Sequence, residues 1–270
     1  MEGANEHPLF YINKDGLPLS DENIDKMKNF CLDKVAKHDN YRDKIETLFK
    51  ADYPKTGPNP PKPPLQQANS FKNTTDIITH ISSVQCYFKS LGYNHTGMQF
   101  FDIRKSRSVC RLVDVCKDMI NFSLPIKCLE AVILGIYLTT VCPESLVRFT
   151  LSFKSKSKTT RTSHYHVLLG LYIHGIGYGC IGQSRRESLA YKTLGKFTSL
   201  NDLIADIKNS YENEGHILKR VSIGMPIIHD NCSLEQITWD GIVLDLRKTS
   251  AEDISKKLEK FSKLFRLQHK

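Results

Sequence analysis

The segment "NFSLPIKCLEAVILGIYLTT", residues 121–140, is a near-continuous apolar stretch with one lysine and one cysteine at its front edge. Pro125 suits the first turn of a helix, because the N–H that proline lacks has no partner there in any case. A helix opening at Pro125 puts Cys128 at the end of its first turn, on the positive end of the macrodipole. The dipole and the neighbouring Lys127 both favour thiolate over thiol. The following "LEAVILGIYLTT" is apolar on nearly every side, so this helix is expected to cross the middle of a domain. A buried structural cysteine is the ordinary alternative. The context downstream weighs against it.

Upstream of this stretch the pattern is helical. Ser20 caps a segment with Ile24, Met27, Cys31 and Val35 at helical spacing. "YPKTGPNPPKPP" (53–64) holds six of the 11 prolines and reads as an extended connector. A second helix, capped near Thr74 or Thr75, aligns Ile77, Ile78, Ile81, Val84, Phe88 and Leu91, and Gly92 is its stop. A third, about 107–122, turns Val109, Leu112, Val113, Cys116, Met119 and Ile120 inward. From Arg148 the period changes to two. "RFTLSFKSKS", "SHYHVLLGLYI", a Gly-punctuated turn with another strand, "HILKRVSIG", "EQITW" and "IVLDLR" read as strands, the last two joined at Asp240-Gly241. Ser199 with Asp202 resembles a capping box, and Ser250 opens a terminal helix with Ile254, Leu258, Phe261 and Phe265 on one face. The fold class is α+β: a helical N-terminal part, then a central buried helix packed on an antiparallel sheet. Residues 1–67 form a helical segment with its Pro-rich connector, and 68–270 form the core.

The composition, 40% hydrophobic and 25% charged, is that of a soluble globular protein. Cys128–Val141, the longest apolar run, carries Glu130 and is too short to cross a bilayer. "MEGANEHPLF" has no basic start and no apolar core, so no secretory signal is visible and a cytoplasmic location is expected. The eight cysteines show no CxxC and no metal-ligand spacing, so free, mostly buried thiols are expected, with no metal and no cofactor. Four Asn-x-Ser/Thr sequons are then chance matches. The net charge of +9 favours a polyanionic partner. No zinc finger, RNP motif or recognition helix points that charge at nucleic acid, and none of the apolar runs points to a membrane.

A nucleophilic cysteine needs a base within reach and a group to orient that base. His166 stands where a β-segment begins, and Ser184 follows the Gly-rich turn at the end of the next strand. Cysteine on a helix, histidine on a strand and an orienting group on the adjacent strand is the papain-like order. Serine is neutral, so the ion pair would rest on Cys128 and His166. His164 and His174 compete for the base, and spacing does not separate them. Cations cluster along the chain near these positions: Lys127, Arg185 and Arg186 in "SRRE", Arg104 and Lys105 in "IRKSR". Each alone reads as solvated surface charge. Together they suggest a pocket for a carboxylate, which an enzyme trimming a free C-terminus needs and an endopeptidase does not.

Four stretches, "GYNHTGMQFFDIRKSR" (92–107), "LPIKCLEAVILGIYLT" (124–139), "HVLLG" (166–170) and "GQSRRE" (182–187), closely resemble the vasohibins. The resemblance is densest from Tyr93 to Arg186 and extends more weakly from Pro8 to near the C-terminus. It implies a transglutaminase-like cysteine-protease fold and a tubulin tyrosine carboxypeptidase. It also implies Cys128, His166 and Ser184 as catalytic residues, Tyr93 beside the nucleophile at the oxyanion site, and Lys105, Lys127 and Arg185 as the substrate-tail cations. The implied substrate is the C-terminal tail of α-tubulin, on microtubules, and the implied partner is the small vasohibin-binding protein, a helical subunit. That subunit would dock on segments 21–48 and 73–91, with Met27 and Phe88 as first candidates for its anchors. Two features depart from the family pattern: Tyr165 stands where vertebrate members have Arg before the catalytic His, and the loop "KSKSKTTRTS" (154–163) is a few residues longer. Two other functions fit the same residues. A transglutaminase-type acyltransferase would hand the thioester to an amine, and a scaffold would bind microtubules or another polyanion without catalysis.

Overall fold

A computed structural model of the chain describes residues 21–36, 39–50, 60–95 and 99–267. The expected Ser20 cap and residues 51–59 of the connector region lie outside the described residues. The chain divides into two compact units, residues 1–60 with 97–102 and residues 61–96 with 103–270. In the first, the segment read as 21–48 is two helices, α1 (Asp21–Lys34) and α2 (Asp39–Lys50). They expose Ile24, Tyr41 and Leu48, while Met27 is half-buried.

The second unit is mixed α/β. Asn73 and Asp76 close a reciprocal capping box at the start of α3 (Thr74–Leu91), one residue earlier than the threonines suggested. Gly92, at φ 77°, ends the helix by donating its N–H to the carbonyls of Phe88 and Lys89. Phe88 is fully buried, and its ring reaches toward Gly135 of α5 (Cys128–Thr139). A partner therefore finds no anchor at Phe88, because the helix spends that side chain on the core. α4 (Val109–Phe122) follows, with Val109, Leu112, Val113, Cys116 and Met119 buried as the spacing predicts.

The sheet has six strands in the order β4-β3-β2-β1-β5-β6, every neighbouring pair antiparallel. They are β1 (Leu146–Ser157), β2 (Ser163–Ile173), β3 (Gly177–Ile181), β4 (Lys192–Phe197), β5 (His216–Ile223) and β6 (Ile242–Asp245). Alternation along β1 sends Phe149, Leu151 and Phe153 to one face. There they form a core with α6 (Leu200–Asn213) and α7 (Ala251–Leu267), and Phe149 stacks on Phe265 at 4.6 Å. The other face carries α5. Gly135 lets it approach β2 so closely that a Cβ there would stand 3.1 Å from a methyl of Leu169. Buried Arg148 projects to the same side and donates to the Ile136 carbonyl at 2.8 Å and the Ile228 carbonyl at 2.7 Å. A cation thus satisfies carbonyls at the C-terminal end of α5, where the macrodipole is negative. Among the described residues no helix is long and apolar enough to cross a membrane.

One expected strand is absent and one strand was not expected, each for an identifiable reason. "EQITW" (235–239) is not part of the sheet. Its backbone serves α4 and the β5 exit instead: Glu235 accepts the N–H of Val109, Ser233 that of Cys110, and Thr238 that of Met225. Those first N–H groups of α4 have no partner within the helix. β6 consequently pairs with β5 and not with 235–239. The short β4, "KTLGKF", lacks an apolar alternation strong enough to mark it and is held by pairing with β3.

Candidate active site

The helix carrying the cysteine starts later than Pro125 implies. Ile126 is kept extended by a parallel bridge to Tyr93, with Asn94 N–H on the Ile126 carbonyl and Ile126 N–H on the Gly92 carbonyl. Lys127 is the N-cap, so Cys128 opens α5. The buried Glu130 carboxylate accepts the Lys127 N–H and fixes this corner. The result places the thiol deeper among the unpaired N–H groups of the helix start than the sequence suggests.

β3 ends at Ile181, opposite Leu169, so the β3-side edge of β2 is unpaired at Val167 and His166, while β1 still pairs with its other edge. Cys128 meets this open edge. The backbone N–H groups of Val167, Leu129 and Cys128 itself approach its sulfur closely enough to favour the thiolate. Burial raises the thiol pKa, and these N–H groups oppose the rise without cancelling it. Burial likewise pushes His166 down to about 4, against the pull of the Leu189 carbonyl. The resting pair is therefore neutral, in place of the ion pair expected from the dipole and Lys127. Burial outweighs both.

The ring of His166 is oriented by a backbone group. Nε2 lies 2.9 Å from the Leu189 carbonyl. A carbonyl only accepts, so Nε2 carries the proton and Nδ1 is the free base. Ser184 does not take this place. Its Oγ accepts the N–H of Arg186 at 3.2 Å, because the chain turns away after Gly182 and returns only at the 3₁₀ turn Glu187–Leu189. α3 fixes that exit: Gln85 bonds both the N–H and the carbonyl of Gly182 at 3.0 Å, and Gln183 donates to the Phe88 carbonyl at 2.8 Å. Of the competing histidines, His164 bonds Thr162 at 2.9 Å and faces His216, and His174 bonds Tyr172 at 3.2 Å beyond the other end of β2.

Cys128, His166 and Lys105 line one cavity of 390 Å³. Lys105 is held over the Trp239 ring at 4.4 Å, and its carbonyl accepts the indole N–H at 3.3 Å. The remaining expected residues gather around the tip of α5. Arg185 lies 5.8 Å from the centre of the Tyr93 ring, and its charge favours the phenolate. Burial, then the nearby Cys128, keeps that phenol protonated. Lys127 is half-buried, which lowers its pKa, while Glu130 pulls it back up. Four contributors were missed by the sequence: the Leu189 carbonyl, the Val167 N–H, and the cations Lys154 and Arg220 on the cavity wall. Backbone atoms have no residue signature, and the two cations are brought together only by strand register.

A thiol at a helix start, a base with one free nitrogen, backbone N–H groups beside the sulfur and surrounding cations can carry out acyl transfer on a substrate bearing carboxylates. A family model described as Vasohibin matches residues 8–266. The mouse protein "Tubulinyl-Tyr carboxypeptidase 1" is 40% identical over 261 residues, which cover 96% of this chain and 65% of the mouse protein.

Proposed function

The chain belongs to the vasohibin family, and from that premise we propose that it is a thiol carboxypeptidase that removes the C-terminal tyrosine of α-tubulin. The fold is then transglutaminase-like, with the nucleophile on the tip of the central helix and the base on the neighbouring strand. His166 Nδ1 takes the Cys128 proton as sulfur attacks the last peptide carbonyl. The Cys128 N–H and the protonated Tyr93 hydroxyl face the developing oxyanion. The imidazolium returns its proton to the leaving amino group of tyrosine, and the same nitrogen then activates water to hydrolyse the thioester. Lys127 and Arg185 read the terminal carboxylate and nearby acidic residues, and Ser184 holds the turn that presents Arg185. The +9 charge speeds encounter with an acidic tail. The protein works in the cytoplasm on microtubules, with a small helical subunit, the small vasohibin-binding protein, docking on α1 and α2.

The observation that carries this reading is the sharing of one cavity by thiol, imidazole and cations. A tyrosine-ended peptide with a free C-terminus should release tyrosine at least ~10²-fold faster than its C-terminal amide, since charged hydrogen bonds contribute about 1.5–3 kcal/mol each. Equal rates for acid and amide would leave a thiol hydrolase of another specificity.

A further inference from the structure

β3 stops at Ile181, although the chain beyond it still lies against β2: a Cβ on Gly182 would stand 2.5 Å from a methyl of Leu168. Had the pairing run on in register, Ser184 would stand opposite His166, and the edge that Cys128 meets would be closed. The mechanism needs that edge open, and one side chain keeps it so. Gln85 of α3 is buried, 3% exposed, and its amide takes both polar backbone groups of Gly182. Oε1 accepts the Gly182 N–H and Nε2 donates to the Gly182 carbonyl, each at 3.0 Å. A carboxamide has the donor and the acceptor of a peptide group, so Gln85 does for Gly182 what a neighbouring strand would do. The ladder ends there.

The attachment continues along the helix. Gln183, also buried, donates to the Phe88 carbonyl at 2.8 Å, and Lys89 pairs with Glu187 in the 3₁₀ turn Glu187–Leu189. That ion pair is exposed and adds little. The two buried amides carry the hold. The turn ends at Leu189, whose carbonyl lies 2.9 Å from His166 Nε2. α3 therefore acts on the catalytic pair twice. It leaves uncovered the edge of β2 at Val167, whose N–H approaches the Cys128 sulfur, and it sets where the chain returns to orient the base. Satisfying a buried backbone group is the ordinary reason for a buried glutamine. It does not account for the position, at the residue where β3 must end for the sulfur to reach β2.

We propose that Gln85 is a positioning residue for Cys128 and His166: it ends β3 at Gly182, which keeps the edge of β2 open to the sulfur, and directs the following turn so that the Leu189 carbonyl holds the imidazole. Its effect on rate rests on the peptidase reading, and its effect on the imidazole does not.

The test uses the full chain carrying Gln85→Met, which keeps the length and loses both bonds, or Gln85→Glu. Histidine tautomers are read by nitrogen-15 NMR, with the His166 signal assigned by its absence from His166→Asn. Tyrosine release from one acidic tyrosine-ended peptide is followed from pH 8 to pH 6, a range in which His166, at about 4, stays unprotonated. The wild type should show one fixed tautomer with the proton on Nε2, and Gln85→Met a mixture of both. Gln85→Met should also lower kcat about 10- to 100-fold, the scale of a small misplacement of reacting groups, and hold KM within about threefold. The carboxyl of Gln85→Glu accepts and donates like the amide only when protonated, so the deficit of that variant should narrow toward pH 6. An unaltered tautomer in Gln85→Met, or a kcat within about twofold of wild type, overturns the role whatever the melting temperature. If Gln85→Met does not fold, Gln85→Glu decides: a deficit that is absent, or that does not change with pH, overturns it. If no form of the chain releases tyrosine while the tautomer still follows position 85, the peptidase reading fails and the positioning role stands.

Discussion

Cys128→Ala is expected to abolish the proposed tyrosine release, a loss of at least ~10⁴-fold, because among the described residues no other thiol lines the cavity with His166. The Cys128 sulfur combines a helix-start position, nearby backbone N–H groups that favour the thiolate and a cavity shared with an imidazole. Buried Cys116, Cys142 and Cys180 cannot substitute. Burial raises the thiol pKa in each, to about 12 for Cys142 and Cys180, and so keeps them protonated. His166→Ala should lose ~10²–10⁴-fold, the range for removal of a general base. The pH profile carries a sharper signature. A base works when unprotonated, and His166 is depressed from 6.5 to about 4. Activity should therefore hold as pH falls through 6.5 and fail only toward 4, in a kcat/KM profile recorded on one peptide. An acid limb centred near 6.5 would mean an exposed imidazole and a different base.

Arg185→Glu and Lys127→Glu should each reduce kcat/KM by at least ~10²-fold, whereas Lys256→Glu, on the exposed side of α7, should stay within about twofold. The difference lies in position, not in net charge. Arg185 lies over the Tyr93 ring, 5.8 Å from its centre, at the tip of α5. Lys127 caps the helix whose first residue is the nucleophile, so reversal there also places an anion against a thiol that must lose its proton. Diffuse charge assists encounter and fades with salt. Side-by-side kinetics of the three variants at two ionic strengths separates the effects. Equal losses in all three would show that only the overall charge matters.

The sequence carried the central helix because its signal was redundant: an all-round apolar run, a cysteine at its front and a cation beside it. It misplaced the helix start, because Pro125 looks like a first-turn residue while the Tyr93–Ile126 bridge, a contact distant in sequence, holds the chain extended for two more positions. It read the β2 segment carrying His166 from its composition, and the Ser199 and Ser250 caps from local chemistry, all of them short-range signals. The orienting group was not legible. Ser184 has a side chain that suits the role, but the bond to His166 comes from the Leu189 carbonyl, and any residue there supplies one. The protonation state was misjudged because helix N–H groups and Lys127 can be read from sequence, whereas burial at the open edge of β2 cannot. Phe88 illustrates the converse. An apolar stripe looks the same whether it meets a partner or the core, and only packing against α5 decides for the core.

The central claim, hydrolysis of the last peptide bond through Cys128, is tested most directly by mass spectrometry of α-tubulin tails incubated with the full chain and the small helical subunit, with and without a primary amine. The account predicts a product shorter by one tyrosine residue, no amine adduct in either mixture, and no product with Cys128→Ala. Intact tails, an amine adduct, or an undiminished product from Cys128→Ala would contradict it.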